Sequence, residues 1–305
     1  HCTVFILFPK GRVSEIQRKQ MTTVDSASIY PIEIDGTFDD CQNLVKHLFQ
    51  NLEFKEEVSL GAINSINWAR VAAQIVYYFS TFQQLQSNKV SFSVPTGNFG
   101  DVLAGWVAKK MGLPIDKLIV ATNDNDILDR AISNGDYFQE EVKATTSPSM
   151  DIQISSNFER LLFESLNRDS AKLRNLFKEL NENKGFRISN DALAFIRNDF
   201  KSGKASEEIV KDTISRIHKA SNIIIDPHTA VGFYASASEL NFNVPMVNLG
   251  TAHPAKFSKA VIDAIGLEPE IPDRVKNIIN KKEKFTQLEN NSETLISFIR
   301  KHTNV

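Results

Sequence analysis

The chain has 305 residues and a formal net charge of -2, with 42% hydrophobic and 24% charged residues, enough for one large core or two smaller ones. Its 35 basic and 37 acidic residues leave no electrostatic footprint for nucleic acid, and no apolar run approaches the ~20 residues of a membrane span. Cys2 and Cys41 make neither a metal nor a redox spacing, and such sparse use fits a reducing compartment, the cytoplasm.

Residues 1–8, His1-Cys2-Thr3-Val4-Phe5-Ile6-Leu7-Phe8, read as a buried strand entered at its first residue, with no initiator Met or signal peptide. A core parallel strand rarely opens a domain, so the chain is expected to be N-terminally incomplete. Pro9-Lys10-Gly11-Arg12 follows, then a helix with Ser14 as N-cap and Gln17 in the capping-box position. A second strand, Ile29 to Ile34, leads through Gly36 to a helix carrying Cys41, Leu44, Val45, Leu48 and Phe49. This alternation indicates parallel βαβ units. Between Gly61 and Leu85, Trp68, Val71, Ala72, Ile75, Tyr78, Phe79 and Phe82 recur at helical spacing, with Asn64 and Ser65 at the mouth of that helix.

The stretch Val90–Lys110 organises the rest. A β-prone run with Val90, Phe92 and Val94 stops at Pro95, and the loop Thr96-Gly97-Asn98-Phe99-Gly100-Asp101 leads into a helix with Val102, Leu103, Trp106 and Val107. Strand, glycine-containing loop and helix start form an anion site. Glycine lets the backbone approach a phosphate, and first-turn N–H groups lack intrahelical partners. Thr96 and Asn98 are expected to add side-chain donors. GxxG is short and common, so on spacing alone an ordinary βα turn is the simpler explanation.

Leu118 to Ala121 reads as another strand, followed by Thr122-Asn123-Asp124-Asn125-Asp126 and the helix Ile127 to Ile132. Residues 155–221 show helical periodicity without convincing strands and read as an all-helical insertion. Ile223-Ile224-Ile225 reads as a short buried strand, Thr229 as a helix start and Val244 to Leu249 as the last strand. Pro254 starts another helix, and the lysine-rich tail after Pro272 reads as helical surface. The fold class is α/β with mostly parallel sheets, helices on both faces and ligands at the carboxyl ends of strands. His228 and His253 lie in strand-end loops, where a lone histidine is more often structural than catalytic. Their spacing does not suggest zinc, and no metal site is expected. Thr251 could face a ligand's ring nitrogen or simply cap the next helix.

The strings NSINWARVAAQIVYYF, PTGNFGDVLAG, NDNDILDR, SMDIQISSNFERLL, DPHTAVG and GTAHPAKF occur in the order seen in threonine synthases, and the chain resembles that family from its first strand to about Leu267. The resemblance is to the long, fungal and proteobacterial type. It implies a two-domain, tryptophan-synthase-β-like fold that binds pyridoxal 5'-phosphate. The small domain would be residues 1–60, and the large one residues 61–305 with an insertion at about 155–221. It also implies conversion of O-phospho-L-homoserine and water to L-threonine and phosphate, with no nucleic-acid or membrane partner and a monomer or homodimer. By the same resemblance, Thr96, Gly97, Asn98, Phe99 and Gly100 would hold the cofactor phosphate, and Thr251 would face the pyridine nitrogen. Lys10, Arg12, Asn64 and Arg70 are candidates for the substrate phosphate. All four strand-end loops would open onto one cleft. The Schiff-base lysine of the family lies in an HGPT-x-x-FKD-type segment upstream of an SGDTG loop, and neither string occurs here, so no residue of this chain is assigned as catalytic. Two competing functions remain: a non-catalytic ligand-binding remnant, or a related phospho-lyase that eliminates without adding water.

Overall fold

The computed structural model describes residues 2–303; His1, where the first strand was expected to open, lies outside them. The chain divides into two units, one of residues up to Ala62 together with those from Glu270 onward, the other Ile63–Pro269.

The first unit begins β1 (Val4–Pro9), α1 (Glu15–Thr22), β2 (Ile29–Asp35), α2 (Phe38–Gln50) and α3 (Leu52–Glu57). Ser14 caps α1 in the full reciprocal box with Gln17, and Thr37 does the same for α2 with Asp40. β1 and β2 pair in parallel, Val4 opposite Ile29. The apolar face of α2 buries Cys41, Leu44 and Leu48 against Ile32 and Ile34 of β2. Burial pushes the Cys41 thiol up to about 11, so it behaves as a small apolar side chain.

The second unit runs α4 (Trp68–Gln84), β3 (Val90–Pro95), α5 (Gly100–Lys110), β4 (Ile115–Thr122), α6 (Ile127–Asn134), β5 (Asp136–Phe138), α7 (Phe158–Ser165), α8 (Ser170–Asn183), β6 (Gly185–Arg187), α9 (Asn190–Asp199), β7 (Phe200–Lys204), α10 (Glu207–Ser221), α11 (Pro227–Ser236), β8 (Met246–Asn248) and α12 (Ser258–Ile265). Its four-stranded sheet has the order β7-β4-β3-β8, parallel throughout. Helices cover both faces. Leu118 and Val120 of β4 pack with Leu103 of α5, whereas Ile119 and Ala121 point to the opposite core with Ala230, Val231 and Ala235 of α11. β3 is buried along its whole length although serine alternates with its apolar residues. Ser93 donates to the Gly232 carbonyl of α11 at 2.7 Å, so the small polar face is the one on which that helix lies.

Three expectations are corrected. Residues 155–221 are not all helix: β7 is an edge strand of the main sheet, Leu118 of β4 opposite Phe200, and β6 pairs antiparallel with β5. Residues 223–225 form no strand; Ile223 is exposed and only Ile225 is buried. Beyond α13 (Asp273–Ile279), the tail is not surface of the larger unit. β9 (Thr286–Glu289) pairs in parallel with β2, and α14 (Ser292–His302) buries Leu295 and Ile299 in the core with Ile32 and Phe54.

Candidate anion-binding site

β3 delivers the chain to the carboxyl edge of the sheet, where the Thr96 amide makes a last bond to the Ala121 carbonyl at 2.8 Å. The backbone then folds over Gly97 and Asn98 to Phe99, which sits at φ +62° and precedes the first residue of α5. A non-glycine residue in the left-handed region is strained. Here the ring, 1% exposed, holds it in place between Phe158 at 5.3 Å and Phe200 at 5.7 Å.

The loop's carbonyls are turned back into the protein. Gly97 O accepts from Ser155 Oγ at 2.8 Å, and Asn98 O accepts from Asn157 N at 3.1 Å and Asn157 Nδ2 at 3.0 Å. The amides of Gly97, Asn98, Phe99 and Gly100 have no hydrogen-bond partner among the described residues. These four residues line a cavity of about 160 Å³ together with Ser65, Arg70 and Gln74 of the α4 end and Asp101. Successive free N–H groups around a left-handed residue, at the positive end of a helix, form an anion-binding concavity.

The segment behind the loop is itself pinned. Asp151 Oδ1 accepts from Asn123 Nδ2 at 2.8 Å, Asn125 Nδ2 at 3.0 Å and Thr145 Oγ1 at 2.6 Å. Asn157, fully buried, also donates to Ser65 O at 2.8 Å. The loop is thus tied both to the strand-end network after β4 and to the entrance of α4. None of these tying residues was singled out individually from sequence. Their signal was the run of hydroxyl and amide side chains in SMDIQISSN, too polar for a buried segment unless it is bonding backbone.

The side chains serve differently from expectation. Thr96 Oγ1 donates to Val94 O at 2.6 Å, so its hydroxyl stabilises the strand end and is not a donor to the cavity. Asn98 Oδ1 accepts from Ser156 Oγ at 3.2 Å, and its Nδ2 has no partner among the described residues. A Cβ on Gly97 would strike the Ser149 carbonyl oxygen; the protein's own backbone, rather than a ligand, requires glycine there. Arg70 reaches the cavity wall and donates to Ile63 O at 3.0 Å. Asn64 does not line the cavity: its Oδ1 accepts from Ile66 N at 3.2 Å, shaping the turn into α4. Lys10 and Arg12 belong to the other unit, on the turn after β1, where Gly11 has φ +66° and the Lys10 amide donates to Ile34 O at 2.9 Å.

Thr251 reaches the same edge as the loop. Ser93 pairs with Asn248 in parallel register at the end of β8, and Thr96 and Thr251 each lie three residues further along the chain from that pair. Thr251 is exposed, and its hydroxyl makes no hydrogen bond among the described residues. It does not cap the next turn, because His253 Nδ1 accepts from the Ala255 amide at 3.2 Å in that role. At the start of α11, Asp226 caps the helix and faces His228 Nδ1 at 2.9 Å while Thr229 Oγ1 also donates to it. His228 is buried against Phe257, and its Nε2 has no partner among the described residues. No group of three or more His, Cys, Asp or Glu side chains placed to hold a metal occurs among the described residues.

The family model described as "Threonine synthase, C-terminal" matches residues 229–299. Threonine synthase of Pseudomonas aeruginosa is 44% identical over 305 residues, which is 99% of this chain and 65% of that protein. The crystal structure of PLP-bound threonine synthase from Brucella melitensis superposes with a TM-score of 0.93 at 48% identity, covering 99% of this chain and 66% of that one. Over nearly its whole length the chain is similar to threonine synthases. The yeast threonine synthase crystal structure agrees, with a TM-score of 0.88 and 42% identity over 98% of this chain and 64% of that one. The chain therefore spans slightly less than two thirds of the length of these threonine synthases, and its fold is theirs over that span.

Proposed function

We propose that this chain is part of a pyridoxal-phosphate enzyme that converts O-phospho-L-homoserine and water to L-threonine and phosphate. The observation that carries the proposal is the row of four unpartnered amides, Gly97 to Gly100, in a chain 44% identical to a threonine synthase. The donor set fits a phosphate ester. It is backbone N–H at a helix start, with the competing carbonyls of Gly97 and Asn98 already engaged. When bound, the cofactor would supply an electron sink for the carbanions formed on the substrate. In this assignment the loop amides and Asn98 Nδ2 hold the cofactor phosphate, and the free hydroxyl of Thr251 faces the pyridine nitrogen. Arg70, on the wall of the same cavity, adds positive charge to the anion held there. Lys10 and Arg12 are the candidates for the substrate phosphate.

No lysine of this chain stands in the family's Schiff-base context, so the 305-residue chain alone is expected to turn over no substrate. The test joins it to the remaining third of the Pseudomonas aeruginosa relative and supplies cofactor and O-phospho-L-homoserine. Threonine and phosphate in equal amounts are the expected products. Phosphate with a keto acid would instead make the protein an eliminating lyase, and no product at all would sink both.

A further inference from the structure

Asp101 lines the same cavity as the free amides. It stands in the first turn of α5, where a carboxylate suits the helix but opposes any anion bound at those N–H groups. Tyr78 of α4, fully buried, donates its hydroxyl to Asp101 O at 2.8 Å and to Oδ1 at 3.1 Å. Oδ2 takes no hydrogen bond among the described residues. Arg70 is the other charged side chain on the cavity wall, and its guanidinium is directed to Ile63 O. β3 and β4 pack Val94, Leu118 and Val120 into the core they share with α5, and the charged Asp116 of β4 meets α5 at its other end, where Lys109 donates to the Asp116 carbonyl at 3.1 Å. Asp151, in the segment behind the loop, is spent on Asn123, Asn125 and Thr145.

We propose that Asp101 couples anion binding in this cavity to uptake of one proton, its carboxylic acid form being the one that admits a dianion beside the Gly97–Gly100 amides. The inference rests on the reading of the loop as an anion site. The proton goes to the Asp101 carboxylate, removing a negative charge next to the incoming one. The free acid group has a proton to offer an anion oxygen, adding a donor to the amide row. Burial already pushes this carboxyl up to about 6, with the Tyr78 hydroxyl opposing the shift, and an adjacent dianion pushes it further in the same direction. At neutral pH the site then takes up a proton each time it fills.

Sulfate keeps its charge across the relevant range and reports the coupling without titrating itself. Sodium sulfate is titrated into the protein while the amide resonances of Gly97 and Gly100 are followed, which reads this site and no other. The half-saturating concentration is expected to rise about tenfold or more from about pH 5 to about pH 8 in the native protein. In Asp101→Asn, which keeps an acceptor for Tyr78, it is expected to change by about twofold or less over the same range. Tyr78→Phe removes the hydroxyl that lowers the Asp101 value, so the midpoint of the pH dependence should move to higher pH. Equal pH dependence in the native protein and Asp101→Asn would overturn the coupling while leaving the anion site standing. No sulfate-dependent shift of either amide at any pH, in any of the three proteins, would overturn the site and the coupling together.

Discussion

Two residues of the loop carry opposite kinds of constraint. Gly97 is glycine because the Ser149 carbonyl oxygen occupies the place of a Cβ. Gly97→Ala should therefore lower stability by roughly 1–3 kcal/mol, the usual penalty for overpacking, even with no ligand present. Thermal unfolding of the ligand-free variant measures it, and an unchanged midpoint would mean that the 149 segment yields freely. Asp101 acts through its charge. Its carboxyl is raised from 3.8 to about 6 in the fold, so the folded state holds the proton more tightly than the unfolded one. Stability is then greatest below the unfolded value, falls as pH climbs from 3.8 toward about 6, and levels off above. The loss is on the order of 3 kcal/mol. Asp101→Asn has no such proton to lose, so its melting temperature should gain on that of the native protein as pH rises through this window. Parallel melting curves at all pH values would contradict the burial argument.

At the scale of elements, the site is a strand–loop–helix unit braced by a second, irregular segment. β3 and α5 set the direction of the loop, but the tie from Asn157 to Asn98 O and Ser65 O turns the carbonyls inward and leaves the amides outward. Asn157→Ala removes both Nδ2 bonds, and the bond that Arg160 Nε donates to Oδ1, at a buried position. It should destabilise by about 1–3 kcal/mol and weaken sulfate binding at the loop, because Asn98 O is then held by a single amide. Denaturant unfolding paired with the sulfate titration tests this; lost stability with unchanged sulfate affinity would make Asn157 a packing residue only. On the other side of the sheet, the N-terminal turn of α11 carries a buried Asp226–His228 pair. The pair fixes the ring through Nδ1 and leaves Nε2 without a partner among the described residues.

At the scale of the whole molecule, each unit has its own core. Phe92, Leu103 and Leu118 belong to one; Ile32, Leu44 and Leu295 belong to the other. The smaller unit is assembled from the two ends of the chain, with Gln287 Nε2 donating to buried Glu33 at 2.8 Å. Deleting residues from 286 onward removes β9 and α14, and with them Leu288, Leu295 and Ile299 from that core. Amide exchange should then show β2 losing protection while β3 and β4 keep theirs. Loss of protection in both units alike would show that the larger one depends on the tail.

What the sequence by itself determined was whatever depends on near neighbours in the chain. The Ser14–Gln17 box, the strand ending at Pro95, the glycine loop and the helix from Gly100 all rest on spacings of a few residues, and all are present in the structure. The six family strings belong here too, since they are local. Tertiary structure decided the rest. Phe200-Lys201-Ser202-Gly203-Lys204 carries no strand pattern; it is a strand because the open edge of β4 accepts it and Gly203 lets Ala235 of α11 approach. Ile223-Ile224-Ile225 has the composition of a strand but pairs with no strand of the sheet, so it stays irregular. Thr96 looked like a ligand donor and bonds its own strand instead, while the amides that do remain free carry no signal in residue type at all. The tail looked like surface helix because pairing β9 with β2 brings together residues about 250 positions apart. Periodicity encodes which side of an element is apolar; which distant edge or core it meets is settled only when the whole chain has closed.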